Sequence, residues 1–421
     1  MTESTRAGVR PALIVLFLVN VLNIYDRQIL GAILEPLRHE FHLSDTELGA
    51  LPTVFTVVYA LAGLPLGRLA DTWSRRRLLA LGVSVWAVLT ALGGLAAGYG
   101  MLLASRLGVG IGEAVCAPAA TSWIGDAVPA ARRARAMAGF MMAVPVGVML
   151  SFAISGPVAQ AWGWRVALAL AALPAAGLVP AVLRLGEPGR AVTATDGPRP
   201  APLALLRIPA LWWIAASGAI ANFVLYSFST FVAPFLTRFH GLSVAQAGLW
   251  TGIGSGAAGI LGALFAGSRG DWAMGRRTDG RIRLAAAGAL AASPAACAAV
   301  LLPAGSAVAC ILLLMLAYGL LQTYYTLVYA AIQDIVPPAL RGTAVAGYLL
   351  VMYLCGGALG PLATGRLSDR FARQAAGSSF ITEAARATGL HQAMFVIPAL
   401  SLALAAVLWA AGRAMRLRAD L

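Results

Sequence analysis

The chain has 421 residues, of which 60% are hydrophobic and 11% are charged. Soluble proteins carry roughly 25% charged residues, so a water-soluble fold of this size is excluded. Twelve membrane-spanning helices of about 20 apolar residues each would use most of the chain and leave only short loops. Unbroken apolar runs such as residues 284–302 exclude the short alternating segments of a transmembrane β-barrel. The composition therefore predicts an all-α membrane protein.

The net charge of +14 comes from 31 arginines, with no lysine, and most of them lie in short segments between apolar runs. That distribution is typical of topology signals and does not indicate a nucleic-acid partner. The four cysteines form no Cys-x-x-Cys pair and the four histidines no metal-binding motif, so no metal site is predicted. We expect the histidines to be ordinary surface or interface residues near outer loops.

Twelve spans are predicted in chain order, six on each side of a linker. The first six cover residues 11–33, 47–66, 77–97, 101–124, 136–158 and 165–184, and the other six cover 210–236, 245–267, 283–303, 306–333, 342–365 and 390–411. The intervening segment is rich in glycine, proline and arginine, which is typical of a flexible linker. The predicted domains are two pseudo-symmetric six-helix bundles at 1–184 and 209–421 and a cytoplasmic linker at 185–208.

Arginine is distributed unevenly between alternate loops. The termini and even-numbered loops carry 22 arginines, the odd-numbered loops carry 7, and Arg27 and Arg106 within spans complete the total of 31. Because cytoplasmic loops carry the excess of positive charge, we expect both termini to face the cytoplasm.

The two halves repeat one another. The loop after the second span reads Gly67-x-Leu69-Ala70-Asp71-x-x-x-Arg75-Arg76, and a looser copy after the eighth span places its Gly and Asp 200 positions later. Duplicated six-helix folds bind substrate near the midplane between their halves and work by rocking one half against the other. The repeat therefore predicts a transporter.

The repeated loops also contain candidate gate residues. Asp71 follows the second span, where it is placed to pair with Arg75 or Arg76 and hold one state shut. Asp271 with Arg276 is the equivalent pair in the second half. The alternative is that these charges are topology signals alone. The predicted cytoplasmic gate consists of Gly67, Asp71, Arg75, Arg76, Asp271 and Arg276.

Four charged residues lie inside predicted spans, where insertion costs roughly 2.5–3.5 kcal/mol each, so each is a functional candidate. Asn23 and Arg27 share one face of the first helix, with Asp26 beside them, and Arg106 and Glu113 share one face of the fourth. The fourth span also carries a small-residue face at Gly108, Gly110 and Gly112, which allows another helix to approach closely. We therefore expect Asp26, Arg106 and Glu113 to cluster with Arg27 nearby.

Proton coupling needs a carboxylate whose protonation changes between conformational states. Asp26 and Glu113 are the candidate proton carriers, because arginine does not release its proton at ordinary pH. Arg27 and Arg106 suit an anionic head group, or they tune the carboxylates. The alternative is a static buried ion-pair cluster that fixes helix packing.

Two polar stripes mark the second half. Tyr318, Gln322 and Tyr325 lie on one face of the tenth span, and Asn222 and Tyr226 lie on one face of the seventh. Aromatic rings with hydroxyl tips suit an amphipathic cargo, and the alternative is ordinary interhelical packing or anchoring at the membrane interface. We include these residues among the candidate substrate-binding side chains.

The loop after the second span resembles the signature of the major facilitator superfamily, whose fold has twelve helices in two bundles. A narrower resemblance to spinster-like lipid transporters rests on three segments: Asn23-Ile24-Tyr25-Asp26-Arg27, Arg106-Leu107-Gly108-Val109-Gly110-Ile111-Gly112-Glu113-Ala114 and Gly365-Arg366-Leu367-Ser368-Asp369-Arg370. Animal members of that branch move sphingosine phosphate or lysophospholipids, whereas related bacterial sequences are often of unassigned substrate. Asn23 and Tyr25 of the first span are candidate substrate-binding or pKa-tuning residues, and the expected location is a bacterial inner membrane.

The function expected from these observations is proton-coupled transport of an amphipathic, lipid-like substrate such as a lysophospholipid or sphingoid phosphate. The alternative within the same fold is a transporter or facilitator of a small organic anion or drug-like compound without proton coupling. A membrane enzyme is disfavoured because the chain has no Gly-x-Ser-x-Gly elbow, Walker loop or metal-ligand cluster. The expected partners are substrate, protons and membrane lipids, with no cofactor, and the expected state is a monomer.

Overall fold

The structure is a computed structural model that describes residues 3–189, 202–337, 340–377 and 381–419. These ranges contain helices and no strand, and twelve of the helices are long and apolar enough to cross a membrane. The all-α prediction is therefore confirmed.

Each predicted span is found, in the predicted order. The first six are Val9–Phe41, Asp45–Ala70, Arg75–Gly93, Tyr99–Ala127, Arg135–Trp162 and Trp164–Leu183. The other six are Pro209–Arg238, Val244–Arg276, Gly280–Leu301, Ala307–Ile335, Arg341–Ala376 and Glu383–Arg416. Several are longer than predicted, because hydropathy finds only the apolar part of a helix and the backbone hydrogen bonds continue into polar turns. The first span, for example, continues through Pro36 to Phe41.

Five spans contain an interruption. The helices that form four of them are Tyr99–Glu113 with Cys116–Ala127, Ala130–Met141 with Ala143–Trp162, Trp164–Ala172 with Ala175–Leu183, and Glu383–Ala393 with Val396–Ala419. The eleventh span has a π-helical turn, Met352–Gly357, between Arg341–Val351 and Leu359–Ala376. In this turn the Ala358 N–H donates to the Tyr353 carbonyl over 2.8 Å. Such wide turns are rare and occur often at functional sites.

The chain divides into two compact units. The first comprises Met1–Leu43, Val54–Thr195 and Ser243–Ile253, and the second comprises Ser44–Thr53, Asp196–Leu242 and Gly254–Leu421. The opening residues of the second span thus belong to the second unit, and those of the eighth span belong to the first.

The first unit is packed closely around the fourth span. A Cβ atom on Gly112 would lie 3.0 Å from the backbone nitrogen of Trp86 and 3.1 Å from the carbonyl oxygen of Gly82, so the third and fourth spans touch backbone to backbone. The second span approaches in the same way at Gly110, whose Cβ would lie 2.9 Å from the carbonyl oxygen of Phe55. The predicted close approach of other helices to this small-residue face is confirmed.

The second unit has a similar close contact between the seventh and eleventh spans. A Cβ atom on Gly356 would overlap the carbonyl oxygen of Ala219 and would lie 2.9 Å from the Cβ of Asn222. Because Gly356 belongs to the π-helical turn, the wide turn is held directly against the face of the seventh span that carries Asn222.

Candidate functional site

Four charged side chains are buried together in the first unit, and we call them the charged cluster: Asp26, Arg27, Arg106 and Glu113. Asp26 is 2% exposed, Arg106 1% and Glu113 0%. Asp26 and Arg27 come from the first span, and Arg106 and Glu113 from the fourth. The predicted grouping of these residues is therefore found in the structure.

The charges pair across the two helices. Arg106 Nη1 lies 3.7 Å from Asp26 Oδ1, and Arg27 Nε lies 3.4 Å from Glu113 Oε2. Arg106 and Glu113 are two turns apart on one helix and take their partners from the first span, as their spacing requires. With both carboxyl groups ionised, the four charges sum to zero.

Each ion pair has an additional neighbour. Thr90 of the third span donates a 2.5 Å hydrogen bond to Asp26 Oδ2 and accepts a 3.4 Å hydrogen bond from Arg106 Nη2. The guanidinium of Arg27 donates to Asn23 Oδ1 over 3.3 Å and lies 4.2 Å from the ring centre of Tyr59. Thr90 and Tyr59 therefore connect the charged cluster to the third and second spans.

The two carboxyl groups of the charged cluster are both buried, each beside an arginine of the opposite helix. Among the described atoms, Glu113 Oε1 makes no hydrogen bond, and Asp26 Oδ1 makes none but lies 3.7 Å from Arg106 Nη1. The charged cluster therefore contains buried carboxyl oxygens that are not fully hydrogen-bonded.

Polar residues predicted for the second unit form a small network of hydrogen bonds, one joining the seventh and tenth spans and the others within a single span. Tyr325 donates to Asn222 Oδ1 over 3.1 Å, and Gln322 donates to the Tyr318 hydroxyl over 3.0 Å. Asn222 also donates to the Gly218 carbonyl over 3.2 Å, which fixes the orientation of its amide. Among the candidate binding residues of this unit, Tyr318 is the most buried tyrosine, at 4% exposure, and it stacks on Phe228.

Four half-buried tyrosines lie near this network, and we call them the tyrosine cluster: Tyr226, Tyr325, Tyr329 and Tyr353. The rings of Tyr226 and Tyr353 are in edge contact at 6.4 Å, and those of Tyr325 and Tyr329 stack at 6.3 Å. Tyr353 comes from the π-helical turn of the eleventh span. The tyrosine cluster thus presents apolar ring faces together with hydroxyl groups, as an amphipathic ligand requires.

Comparison with known proteins identifies the family. The profile of the Major Facilitator Superfamily matches residues 16–361 of this chain. The chain belongs to the major facilitator superfamily. It is therefore a transporter and not an enzyme.

Relatives of this facilitator include an MFS-type efflux pump of Mycolicibacterium smegmatis, which is 32% identical over 360 residues, covering 84% of this chain and 83% of the relative. Protein spinster homolog 1 of Homo sapiens is 27% identical over 409 residues, covering 86% of this chain and 74% of the relative. A crystal structure of a bacterial homolog of the human lysosomal transporter Spinster, in an inward-facing and unoccupied conformation, has a TM-score of 0.86 and 27% identity, covering 99% and 98% of the two chains. The resemblance to the spinster-like branch is thus confirmed.

The signature loop after the second span makes contacts that the sequence did not predict. Arg75 forms its ion pair with Asp126 of the fourth span. Arg75 and Arg76 also donate their backbone N–H groups to the Glu187 carboxylate, which lies 2.7 Å from the Ser74 hydroxyl. Burial acts to raise the pKa of Glu187, but these hydrogen bonds outweigh it and hold the pKa below its usual value. The Asp71 side chain, the expected partner, lies outside the described side chains, and Gly67 faces Pro118 at ordinary contact distance.

The second copy of the loop also differs from expectation. Asp271 pairs with Arg281 at 2.9 Å, and Arg281 pairs in turn with Asp334 at 2.6 Å. Arg276, the expected partner of Asp271, lies 4.0 Å from the ring centre of Trp272 instead. Sequence spacing favoured Arg276 because it lies within the same loop, whereas the folded chain brings Arg281 of the ninth span to the carboxylate.

An ionic network holds the start of the second span to the eleventh span in this facilitator. The Asp369 carboxylate accepts hydrogen bonds from the backbone N–H groups of Asp45 and Thr46, over 3.0 Å and 2.8 Å. Asp45 accepts bonds of 2.8 Å and 2.9 Å from Arg238 and one of 2.6 Å from Ser368. Asp369 therefore caps the N-terminus of a helix that belongs to another part of the chain.

The eighth span of the facilitator is capped by a neutral side chain. The Ala245 N–H donates to Gln160 Oε1 of the fifth span over 2.8 Å. Nearby, a Cβ atom on Gly248 would lie 2.8 Å from the carbonyl oxygen of Phe152, so the fifth and eighth spans are in backbone contact. The second and eighth spans thus share this form of capping, but only the second has a charged cap.

One predicted binding residue of the facilitator is directed into helix packing. Tyr25 is 7% exposed, and its hydroxyl lies 2.8 Å from the Ser155 hydroxyl, while Ser151 donates to the Tyr25 carbonyl. These contacts hold the first span against the fifth.

The sequence did not predict the roles of Thr90, Tyr353 or the ionic network. Its only signal for Thr90 was a hydroxyl within an apolar run.

Proposed function

We propose that this protein is a secondary active transporter that works by alternating access and couples the movement of its cargo to protons. The charged cluster carries this proposal. A neutral set of two carboxylates and two guanidiniums gains a net positive charge when it binds one proton, and buried charge is costly. Release or uptake of that proton is therefore linked to any conformational change that alters the exposure of the cluster.

The proposed cargo is an amphipathic, lipid-like molecule such as a lysophospholipid or sphingoid phosphate. Arg27 and Arg106 are cations that do not lose their protons and suit an anionic head group. The tyrosine cluster, with Asn222, Gln322 and Tyr318, offers ring faces and hydrogen bonds to the rest of such a molecule. The similarity to proteins named spinster homolog 1 supports this cargo class.

The alternative is transport or facilitated diffusion of a small organic anion or drug-like compound without proton coupling. The similarity to an MFS-type efflux pump supports it, because that match covers most of both chains. Under this alternative, the charged cluster is a static set of ion pairs and Arg27 and Arg106 bind the anion alone.

We also propose the arrangement of the chain in its membrane. The excess of arginine in the termini and even-numbered loops supports cytoplasmic termini in a bacterial inner membrane. The proposed domains are the two six-helix bundles at 1–184 and 209–421, joined by a cytoplasmic linker, in a monomer. Arg75, Arg76 and Asp126 would then form a cytoplasmic gate, and the Asp45–Asp369 network would lie at the external side.

Transport into proteoliposomes tests the proposal. Uptake of a labelled lysophospholipid or sphingoid phosphate is measured with and without a pH gradient, beside protein-free liposomes because such lipids partition into bilayers unaided. With one proton per cargo, a gradient of one pH unit drives about tenfold accumulation, since one unit is worth about 1.4 kcal/mol. Uptake that ignores the gradient contradicts the coupling. Absence of protein-dependent uptake contradicts the cargo class, and small organic anions and drugs are then assayed in the same liposomes.

A further inference from the structure

His240 lies in the turn after the seventh span and is buried, with 8% of its surface exposed. Of the described atoms, none makes a hydrogen bond with either of its ring nitrogens. A neutral imidazole has one N–H donor and one acceptor nitrogen, and leaving such groups buried and unsatisfied costs about 1–3 kcal/mol. This position therefore departs from the expectation that the histidines are ordinary surface residues.

The rings of Phe235 and Phe239 contact His240, and His391 stacks on both of them; we call Phe235, Phe239 and His391 the aromatic box. The His240 ring meets Phe235 edge to face at 5.3 Å and Phe239 at 5.1 Å. His391, from the twelfth span, stacks flat on Phe239 at 4.1 Å. The box accommodates an uncharged ring by apolar contact, and none of its described atoms hydrogen-bonds His240.

The charged groups around the box are few. His391 acts electrostatically on His240, and its Nε2 atom donates to the Val300 carbonyl of the ninth span over 2.7 Å. Arg238, two residues before His240, directs its guanidinium to Asp45. Of the described residues, no carboxylate contributes to the electrostatics of His240. A proton on the His240 ring would therefore be held in an apolar site beside a second imidazole.

The backbone provides the alternative position for a charged ring. The seventh helix closes at this turn with a bond from the Leu242 N–H to the Leu236 carbonyl, and Gly241 adopts a positive φ of 72°. A cation at a helix C-terminus is stabilised by the helix dipole and the free carbonyl groups. A protonated His240 ring outside the box is thus stabilised by the carbonyl groups and the dipole at the C-terminus of the seventh helix.

We propose that His240 is an acid sensor: its neutral ring packs in the aromatic box, and protonation drives the ring out and loosens the end of the seventh span. This inference rests on the orientation proposed above, which places the loop after the seventh span on the external side. Arg238 belongs to the same last turn and holds Asp45 by two hydrogen bonds. External acid therefore weakens the hold on the start of the second span.

The direction of the effect follows from the environment of the ring. Burial lowers the pKa of His240 below its ordinary value of 6.5, and the charge on His391 lowers it further. The proton therefore binds more tightly to the exposed ring than to the packed ring. Acidification shifts the equilibrium toward the exposed ring, beginning as the pH falls below about 6.5.

Hydrogen–deuterium exchange of the full-length protein in nanodiscs, without cargo or pH gradient, tests the proposal. Amide protection in residues 235–242 is compared at about pH 7.5 and about pH 5, after correction for the intrinsic pH dependence of exchange. We expect protection to fall on acidification by up to about 30-fold, the ratio of proton binding polynomials for an exposed imidazole over this range. The measurement involves no transport, so its outcome is independent of the proton-coupling proposal.

Two variants remove the titrating ring, and one serves as a control. His240→Phe fills the box and His240→Gln leaves a neutral polar group, so at least one of them should abolish the acid effect in a folded protein. His42→Asn changes an exposed histidine and should retain the wild-type response. Unchanged protection of the wild-type segment at low pH overturns the proposal. So does an acid response that persists in both His240 variants.

Discussion

At the scale of single residues, the charged cluster consists of two ion pairs between the first and fourth spans. Asp26 contacts Arg106 and Thr90, Glu113 contacts Arg27, and among the described atoms Asp26 Oδ1 and Glu113 Oε1 accept no hydrogen bond. A static packing role would be best served by complete pairing. The incomplete hydrogen bonding of these oxygens is the feature on which the proposed proton site rests.

Replacing Glu113 with Gln tests its role as a proton carrier. The amide keeps the size of the side chain but does not take up a proton, so we expect gradient-driven accumulation to fall from about tenfold to equilibration alone in a gradient of one pH unit. Counterflow exchange of cargo without a gradient serves as the control for folding. Normal accumulation with normal pH dependence in Glu113→Gln would show that another group carries the proton.

The hydroxyl of Thr90 is expected to set the pH at which the cluster titrates. Thr90→Val keeps the shape and removes the hydrogen bond to Asp26, so the ionised form of Asp26 loses a stabilising donor worth about 1.5–3 kcal/mol. We expect the pH profile of transport to shift toward higher pH by about one unit or more. Thr90→Ser, which retains the hydroxyl, should leave the profile unchanged. An identical profile in Thr90→Val would restrict Thr90 to packing.

At the scale of helices, the second and eighth spans begin under caps of unequal chemistry. The second has the Asp369 carboxylate and the Arg238–Asp45 ion pair, whereas the eighth has the neutral amide of Gln160. Carboxylates at a helix N-terminus are favoured by both hydrogen bonding and the helix dipole. The start of the second span is therefore held by charge, and that of the eighth by close backbone packing.

Asp369→Asn is expected to release the start of the second span. Loss of a charged cap weakens a helix end by about 1–2 kcal/mol, which corresponds to about 5–30-fold in an opening equilibrium. The reporter is a cysteine introduced as Leu48→Cys, because Leu48 is fully buried in the wild type. The exposed Cys355 is replaced by Ser in the same protein so that it does not react. The rate of maleimide labelling should rise by that factor. Gln160→Ala is the matched control, and equal labelling rates in Asp369→Asn and its parent would contradict the assignment.

The helices themselves were predictable from the sequence, and their contacts were predictable only in part. Hydropathy located all twelve spans because each must bury about 20 apolar residues in lipid. Helical spacing also predicted that Arg27 lies beside Asn23 and that Arg106 and Glu113, two turns apart, do not pair with each other. It did not reveal that Asp369 caps the second span, because that bond joins residues 324 positions apart. The sequence pattern also did not predict the π-helical turn that contains Tyr353. An α-helical turn and a π-helical turn of the same residues have the same hydropathy, so hydropathy does not distinguish them.

At the scale of the whole molecule, each unit has its own chemistry. The first unit contains the charged cluster, while the charges buried in the described part of the second unit, such as Asp279 and Asp369, lie at the ends of spans. The membrane-embedded polar groups of the second unit are mainly hydroxyls and amides. The proton site and the neutral binding residues that we propose therefore belong to different units.

This division predicts that cargo affinity and proton coupling respond to different substitutions. Tyr325→Phe removes the hydrogen bond to Asn222 and leaves the ring in place, so we expect KM for cargo to rise by about three- to tenfold. The dependence of transport on external pH should stay at the wild-type value. A shift in the pH profile of Tyr325→Phe would contradict the division, and Tyr226→Phe in the same cluster provides a second variant for comparison.

Confinement of the charged cluster to one unit also has an evolutionary consequence. Substitutions among the tyrosines leave the ion pairs of the first unit untouched, so the second unit is free to diversify without loss of the energy source. We would expect a set of related transporters to share Asp26, Arg106 and Glu113 and to differ mainly at Tyr226, Tyr353 and their neighbours. Under the proposed coupling, all members of such a set would use protons as the driving ion. The side chains of their second units would determine which compound each member carries.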